Sequence, residues 1–159
     1  MTQAHPLTVQ DLKSHFDDPF QRGSCENVTH AAEISVSEGT CVLRVEAALA
    51  EEGELVDLWW DGDGCAWCEG QMSVVAESIR SAIADGTVVT KGDAISVATE
   101  TRRVVEGLLG GVDTESSIAE CYRLPLKALQ LCLETPVAEI EDDLADGSKF
   151  GGPSLREEC

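Results

Sequence analysis

The sequence predicts an α+β fold: an N-terminal helix, a three-stranded antiparallel meander, then packed helices. Two observations carry this expectation. Apolar residues alternate with a period of two in short segments between Ala32 and Trp60, whereas beyond Gly64 their spacing lengthens to three and four. Strand-like and helix-like segments are also segregated along the chain, which argues against a doubly wound parallel sheet.

The elements follow in order. Val9, Leu12, His15 and Phe16 are spaced three, three and one, and predict a short amphipathic helix that Pro19 ends and Gly23 closes off. Ala32–Val36 alternates around Ile34 and Val36, and Cys41–Leu49 alternates through Leu43, Val45 and Ala47. Glu54–Trp60 is a third, short apolar run. Gly39 separates the first two segments and Glu51-Glu52-Gly53-Glu54 the second pair, so tight connections and a meander are expected. Met72, Val75, Ile79 and Ile83 mark one face of a helix ending at Asp85-Gly86. Val97, Val104, Val105, Leu108 and Leu109 predict another, stopped by Gly110-Gly111. A last helix is expected between about Ile118 and Thr135. Pro125 fits best in a first turn, which places the start of that helix near Cys121. The organisation is therefore one domain over residues 1–136 and an acidic tail over 137–159, with seven acidic and two basic residues in the tail.

Composition narrows the function. Thirty acidic against 11 basic residues give a formal net charge of −19, which excludes a nucleic-acid binder that must displace counterions from phosphates. Forty-three per cent hydrophobic residues are enough for a core, while no apolar run approaches the ~20 residues that span a bilayer. No membrane partner is expected. Met1–Leu12 is polar and has no basic segment leading into an apolar one, so a cytoplasmic setting is expected.

Seven cysteines stand in the chain: Cys25, Cys41, Cys65, Cys68, Cys121, Cys132 and Cys159. In a reducing compartment they are buried apolar groups, metal ligands or reactive thiols. The sharpest motif is Asp61-Gly62-Asp63-Gly64-Cys65-Ala66-Trp67-Cys68. Two thiolates at this spacing can converge on one ion at about 2.3 Å, and a helix start just after them favours the thiolate form. A thioredoxin-type redox pair is the competing chemistry, but that fold sets its motif after the first strand of a βαβ unit. Simple packing of both cysteines is the third reading. Cys121, near a helix start, is a thiolate candidate; Cys132 reads as core. Cys25 and Cys159 fall in loop and tail. His15 reads as a structural histidine, and no Ser/His/Asp set, phosphate-binding loop or dinucleotide fingerprint is present.

His15-Phe16-Asp17-Asp18-Pro19-Phe20-Gln21-Arg22-Gly23 resembles the "H-[YF]-x-x-P-x-x-x-G" segment of iron–sulfur cluster scaffold proteins of the IscU, SufU and NifU N-domain type. Gly62-Asp63-Gly64-Cys65 and the helix after it resemble that family's "G-x-G-C" segment. Ile118-Ala119-Glu120-Cys121-Tyr122-Arg123-Leu124-Pro125-Leu126-Lys127-Ala128-Leu129 resembles the stretch around its third cysteine. The match runs from about Leu7 to Leu133, and the long Thr90–Gly111 insert is closest to the SufU-like branch.

The resemblance implies a three-cysteine site holding zinc or a nascent iron–sulfur cluster, a cysteine desulfurase as sulfur donor, and apo iron–sulfur proteins as recipients. Cys65 and Cys121 match the second and third family cysteines. Cys41 matches the first if the family's following Gly-Asp pair is deleted; alternatively Glu38-Gly39-Thr40 replaces that motif outright. In both cases the family's aspartate ligand is missing. Cys68 stands where the family has a small or hydroxyl residue, and supplies a further thiol. The implied ligand set is Cys65, Cys121, Cys41 and Cys68, with Cys121 and Cys41 as the sulfur-accepting candidates. A thiolate in place of the aspartate would hold metal more tightly. The chain lacks the family's "L-P-P-V-K" segment before Cys121, so an Hsp70-type partner is not implied. The activity expected is that of a scaffold or sulfur carrier more than a turnover enzyme. Two alternatives are a zinc-bound sulfurtransferase partner of the desulfurase and a degenerate member with structural zinc.

Overall fold

A computed structural model describes residues 7–36, 41–109 and 117–137. The acidic stretch beyond Val137, together with Glu38, Gly39, Thr40 and Cys159, lies outside the described residues.

Helix α1 (Val9–Asp17) is started by a reciprocal capping box: the Thr8 hydroxyl accepts from the Asp11 N–H, and the Asp11 carboxylate accepts from the Thr8 N–H. Leu12 is its fully buried residue. Strands β1 (His30–Ser35), β2 (Val42–Leu49) and β3 (Leu55–Asp63) form an antiparallel sheet in the order β1-β2-β3, as the meander reading expects. The register sets Ile34 opposite Leu43, and Val45 opposite both Ala32 and Trp60. In β2 the marked residues Leu43, Val45 and Ala47 are fully buried, whereas in β1 the marked Ile34 is only partly buried and Ala31 and Ala32 are buried instead. β3 runs three residues past the expected end at Trp60, because Asp61, Gly62 and Asp63 still pair with Arg44, Leu43 and Val42.

Helix α2 (Gln71–Ala84) buries Met72, Val75 and Ile79 and ends as expected, with Gly86 in the left-handed conformation (φ 88°). Helix α3 (Lys91–Leu109) begins six residues before Val97, since Thr90 and Asp93 form a second reciprocal cap. Helix α4 (Ser117–Leu133) corrects one expectation: it begins four residues before Cys121, and Pro125 lies in its interior. Proline removes one hydrogen bond, to the carbonyl four residues back, but the helix is held by packing. Leu124, Pro125, Leu126, Ala128 and Leu129 are all buried, against β1 and β2 on one side and α3 on the other.

The core lies between the sheet and α2 and α4, with Leu43, Val45, Leu58 and Trp60 from the strands and Met72, Val75, Ile79 and Leu129 from the helices all at most 1% exposed. A second, smaller cluster of Leu12, Val105 and Tyr122 ties α1 to the helical layer. Between β3 and α2 the chain makes one π-helical turn, Ala66–Gly70, which the sequence spacing does not announce. Gly70 lets α1 approach it: a Cβ there would sit 2.5 Å from the Leu12 carbonyl oxygen.

Candidate metal centre

Four cysteines meet at the end of the sheet where β2 begins and β3 ends. Cys41 immediately precedes β2, and its carbonyl accepts from the Val36 N–H (3.1 Å). Cys65 caps the π turn: its own backbone is extended (φ −95°, ψ 175°), and its carbonyl accepts from the N–H groups of Cys68 (3.0 Å) and Glu69 (2.8 Å). Cys68 lies inside that turn. Cys121 comes from the second turn of α4 rather than from the helix start, so the dipole argument for its thiolate does not apply.

The sulfurs of Cys41, Cys65 and Cys121 all lie within 4.8 Å of one another, and Cys41 Sγ is 2.7 Å from Cys121 Sγ. Cys68 is not part of this mutually close group, but its fully buried thiol hydrogen-bonds to Cys41. Gly64 is required here. A Cβ at that position would fall 2.9 Å from Cys41 Sγ and 3.4 Å from Cys68 Sγ, in space the sulfurs occupy. Cys41 and Cys121 are buried, whereas Cys65 is half-buried.

The thiols share protons unequally. Cys41 lies far below its ordinary range, because it accepts hydrogen bonds from Cys121, Cys65 and Cys68. Cys121 is pushed far up by its bonds to Cys41 and Cys65 and by burial. Its bond with Cys121 pulls Cys65 down, but the bond to Cys41, burial and the Cys41 charge together leave it raised. Cys68 is raised by its bond to Cys41 and by burial. The thiols of this cluster thus bear on one another's protonation through Cys41. As a donor set the cluster is all soft sulfur, which suits Zn²⁺ or an iron–sulfur cluster and does not suit Mg²⁺ or Ca²⁺.

Of the other described cysteines, Cys132 and Cys25 stand apart from it. Cys132 is core, its thiol directed at the His30 carbonyl (3.5 Å) and pushed up to about 12 by burial. Cys25 is buried, with its N–H donating to Glu46 Oε1 (2.8 Å). His15 is structural: its Nδ1 meets Ser73 Oγ at 2.7 Å, the same hydroxyl accepts the Phe20 N–H, and Nε2 faces Glu77. The histidine of the N-terminal segment therefore fastens α1 and its following loop to α2.

Arg22 and Glu69 are the residues that sequence reasoning passed over. The loop 21–23 pairs with the free edge of β3, through Trp60 N–H to the Gln21 carbonyl (3.1 Å) and Gly23 N–H to the Trp60 carbonyl (2.7 Å). This lays the Arg22 guanidinium over the Trp60 ring (5.3 Å). Its Nε donates to Asp61 Oδ1 (2.9 Å), Nη1 to Glu69 Oε1 (2.9 Å) and Nη2 to the Gly62 carbonyl. The other oxygen of Glu69 accepts the Gly64 N–H (2.7 Å). One signal was available: Arg22 is the only Lys or Arg between Lys13 and Arg44.

No protein-family model and no curated protein sequence matches this chain. Solved structures do. A crystal structure of a protein described only as hypothetical aligns with a TM-score of 0.59 at 14% identity, covering 79% of this chain and 95% of its own. Another aligns with a TM-score of 0.60 at 16% identity, covering 80% of this chain and 96% of its own. That one is assigned as an iron–sulfur cluster assembly scaffold protein for the SUF system, from the thermophile Fervidobacterium islandicum AW-1. At this identity the likeness is one of fold, and the resemblance read from the sequence thus extends to the three-dimensional architecture of a SufU scaffold structure.

Proposed function

We propose that this domain is an iron–sulfur cluster assembly scaffold, binding a metal or nascent cluster through cysteine thiolates and accepting sulfur from a cysteine desulfurase. The observation that carries the reading is the convergence of Cys41, Cys65 and Cys121 from three separate elements to within 4.8 Å. These three are the proposed ligands, and Cys68, in contact with Cys41, is the proposed fourth donor. In sulfur transfer, a site thiolate attacks the terminal sulfur of the desulfurase persulfide and becomes a persulfide itself, while the desulfurase cysteine leaves as thiolate. The proposed sulfur acceptors are Cys121 and Cys41, reached past Cys65, the more exposed of the triad. Recipients are apo iron–sulfur proteins in a reducing, cytoplasmic setting. The scaffold proper is residues 1–136, with 137–159 an acidic appendage.

Anaerobic reconstitution with iron and sulfide tests this. Charge-transfer absorbance is expected in the wild type and lost in Cys65→Ala and Cys121→Ala. Protein that stays colourless under all such conditions would overturn it.

A specific observation favours one second reading, a zinc-bound sulfurtransferase partner of the desulfurase. Among the described residues the close group is three cysteines, and a fully sulfur-ligated site is the habit of tightly held zinc. Stoichiometric zinc without iron, with a desulfurase rate that rises on mixing, selects it. Zinc whose removal costs only stability selects a purely structural ion.

A further inference from the structure

The three close thiols are not held equally. Cys41 is fixed by the start of β2 and Cys121 by two turns of α4, while Cys65 stands on the connection between β3 and the π turn. Its position depends on how that connection is anchored. After Cys65 the anchor is the π turn itself, whose N–H groups from Cys68 and Glu69 bind the Cys65 carbonyl. Before it, the backbone N–H of Gly64 is held by Glu69 Oε2 at 2.7 Å. Glu69 is in turn held by Arg22, whose fork also grips Asp61 and the Gly62 carbonyl at the end of β3. One guanidinium therefore spans both ends of the segment that carries Cys65.

We infer that Arg22 and Glu69 are positioning residues for the thiol centre, their ion pair setting the loop-borne Cys65 in register with Cys41 and Cys121. The inference rests on the metal-centre reading above. Burial points the same way. The Glu69 side chain is 4% exposed, and a buried ion pair adds little net stability over an apolar pair of equal volume. What an apolar pair could not do is accept the Gly64 N–H and tie it to β3. Arginine is suited to the task because its planar fork makes several directed bonds at once, where lysine offers a point charge. The pair also gives the N-terminal segment, which contributes no thiol, a part in the site: the loop after α1 exists at this spot to bring Arg22 over Trp60 and onto Glu69.

The test uses the full chain, first metal-free. Arg22→Met/Glu69→Leu removes both charges together and so avoids a stranded buried carboxylate. Site-resolved alkylation of Cys65 is expected to quicken about tenfold or more, while Cys25 and Cys132 keep wild-type protection and the far-UV spectrum is unchanged. In a Co²⁺ titration the same variant is expected to lose about ten- to a hundredfold in affinity, the usual cost of losing an outer-shell partner. Its thiolate-to-cobalt absorbance per bound ion should fall toward that of Cys65→Ser. Arg22→Lys, which keeps Glu69 neutralised, should shift both readouts in the same direction by less, and serves if the double variant does not fold. Wild-type alkylation rates at Cys65 in folded variants overturn the inference. A wild-type chain that takes up no Co²⁺ through thiolates overturns the metal-centre reading instead, and the alkylation rates still decide the role of Arg22 and Glu69.

Discussion

Cys41 Sγ and Cys121 Sγ lie 2.7 Å apart although the two residues are separated by 80 positions. The contact exists because α4 packs on β1 and β2, so the second turn of the helix is brought over the residue just before β2. A thiol at either position has no reason of its own to be a ligand; together, and with Cys65, they form a group that could hold a metal ion.

Removal of single thiols should separate the close triad from the fourth sulfur. Cys41→Ser, Cys65→Ser and Cys121→Ser are each expected to weaken zinc binding at least about a hundredfold in competition with a chromophoric chelator. Cys68→Ser, which removes a sulfur outside the mutually close group, should cost about tenfold or less. Equal losses for all four would mean a closed four-thiolate site.

Metal uptake should release protons. Cys121, Cys65 and Cys68 are all raised and so protonated near neutral pH, whereas Cys41 is lowered. Ligation needs thiolates, so binding at pH 7 should liberate about two protons per ion from the triad, about three if Cys68 also ligates, and tighten as pH rises. Proton counting in weakly buffered solution checks this, and a pH-independent affinity would contradict it.

Gly64→Ala should damage the centre more than the fold. The added methyl would sit 2.9 Å from Cys41 Sγ, yet this glycine's backbone is not in the left-handed region. Metal affinity is expected to fall about tenfold or more with an unfolding penalty below about 1 kcal/mol, read by paired metal titration and thermal melts.

The core thiol Cys132 should make the fold sensitive to alkali. Its folded pKa is raised to about 12 from 9.0 by burial, so its contribution is complete below pH 9 and is lost as pH climbs from 9 toward 12. At about 1.36 kcal/mol per unit, roughly 4 kcal/mol of stability is at stake. Cys132→Val should flatten the melting temperature over that window; an unchanged slope would argue that other groups control it.

His15→Ala should lower stability by about 1–2 kcal/mol, since it leaves the buried Ser73 hydroxyl with only the Phe20 N–H and frees α1 from α2. Metal stoichiometry should be untouched. Loss of bound metal in this variant would instead make His15 a ligand.

Much of this molecule was legible in the residues taken in order. Helix α2 and the three strands follow from the spacing of Met72, Val75 and Ile79 and the alternation through Leu43, Val45 and Ala47, because burial of a local face is written in local periodicity. The Cys65–Cys68 pair stood out by its own local spacing, two thiols separated by two residues. Helix starts were less legible where a cap or a proline competed. Thr90 and Asp93 extend α3 backward, and packing of Leu124 and Leu129 overrides Pro125 in α4. The metal centre itself was a matter of distance between elements. Periodicity marks which face of α4 is buried, but not that Cys121 on that face stops beside Cys41, nor that Arg22 crosses β3 to reach Glu69. Those relationships are created by helix-on-sheet packing and by one loop laid along a strand edge, where residues far apart in the chain become neighbours.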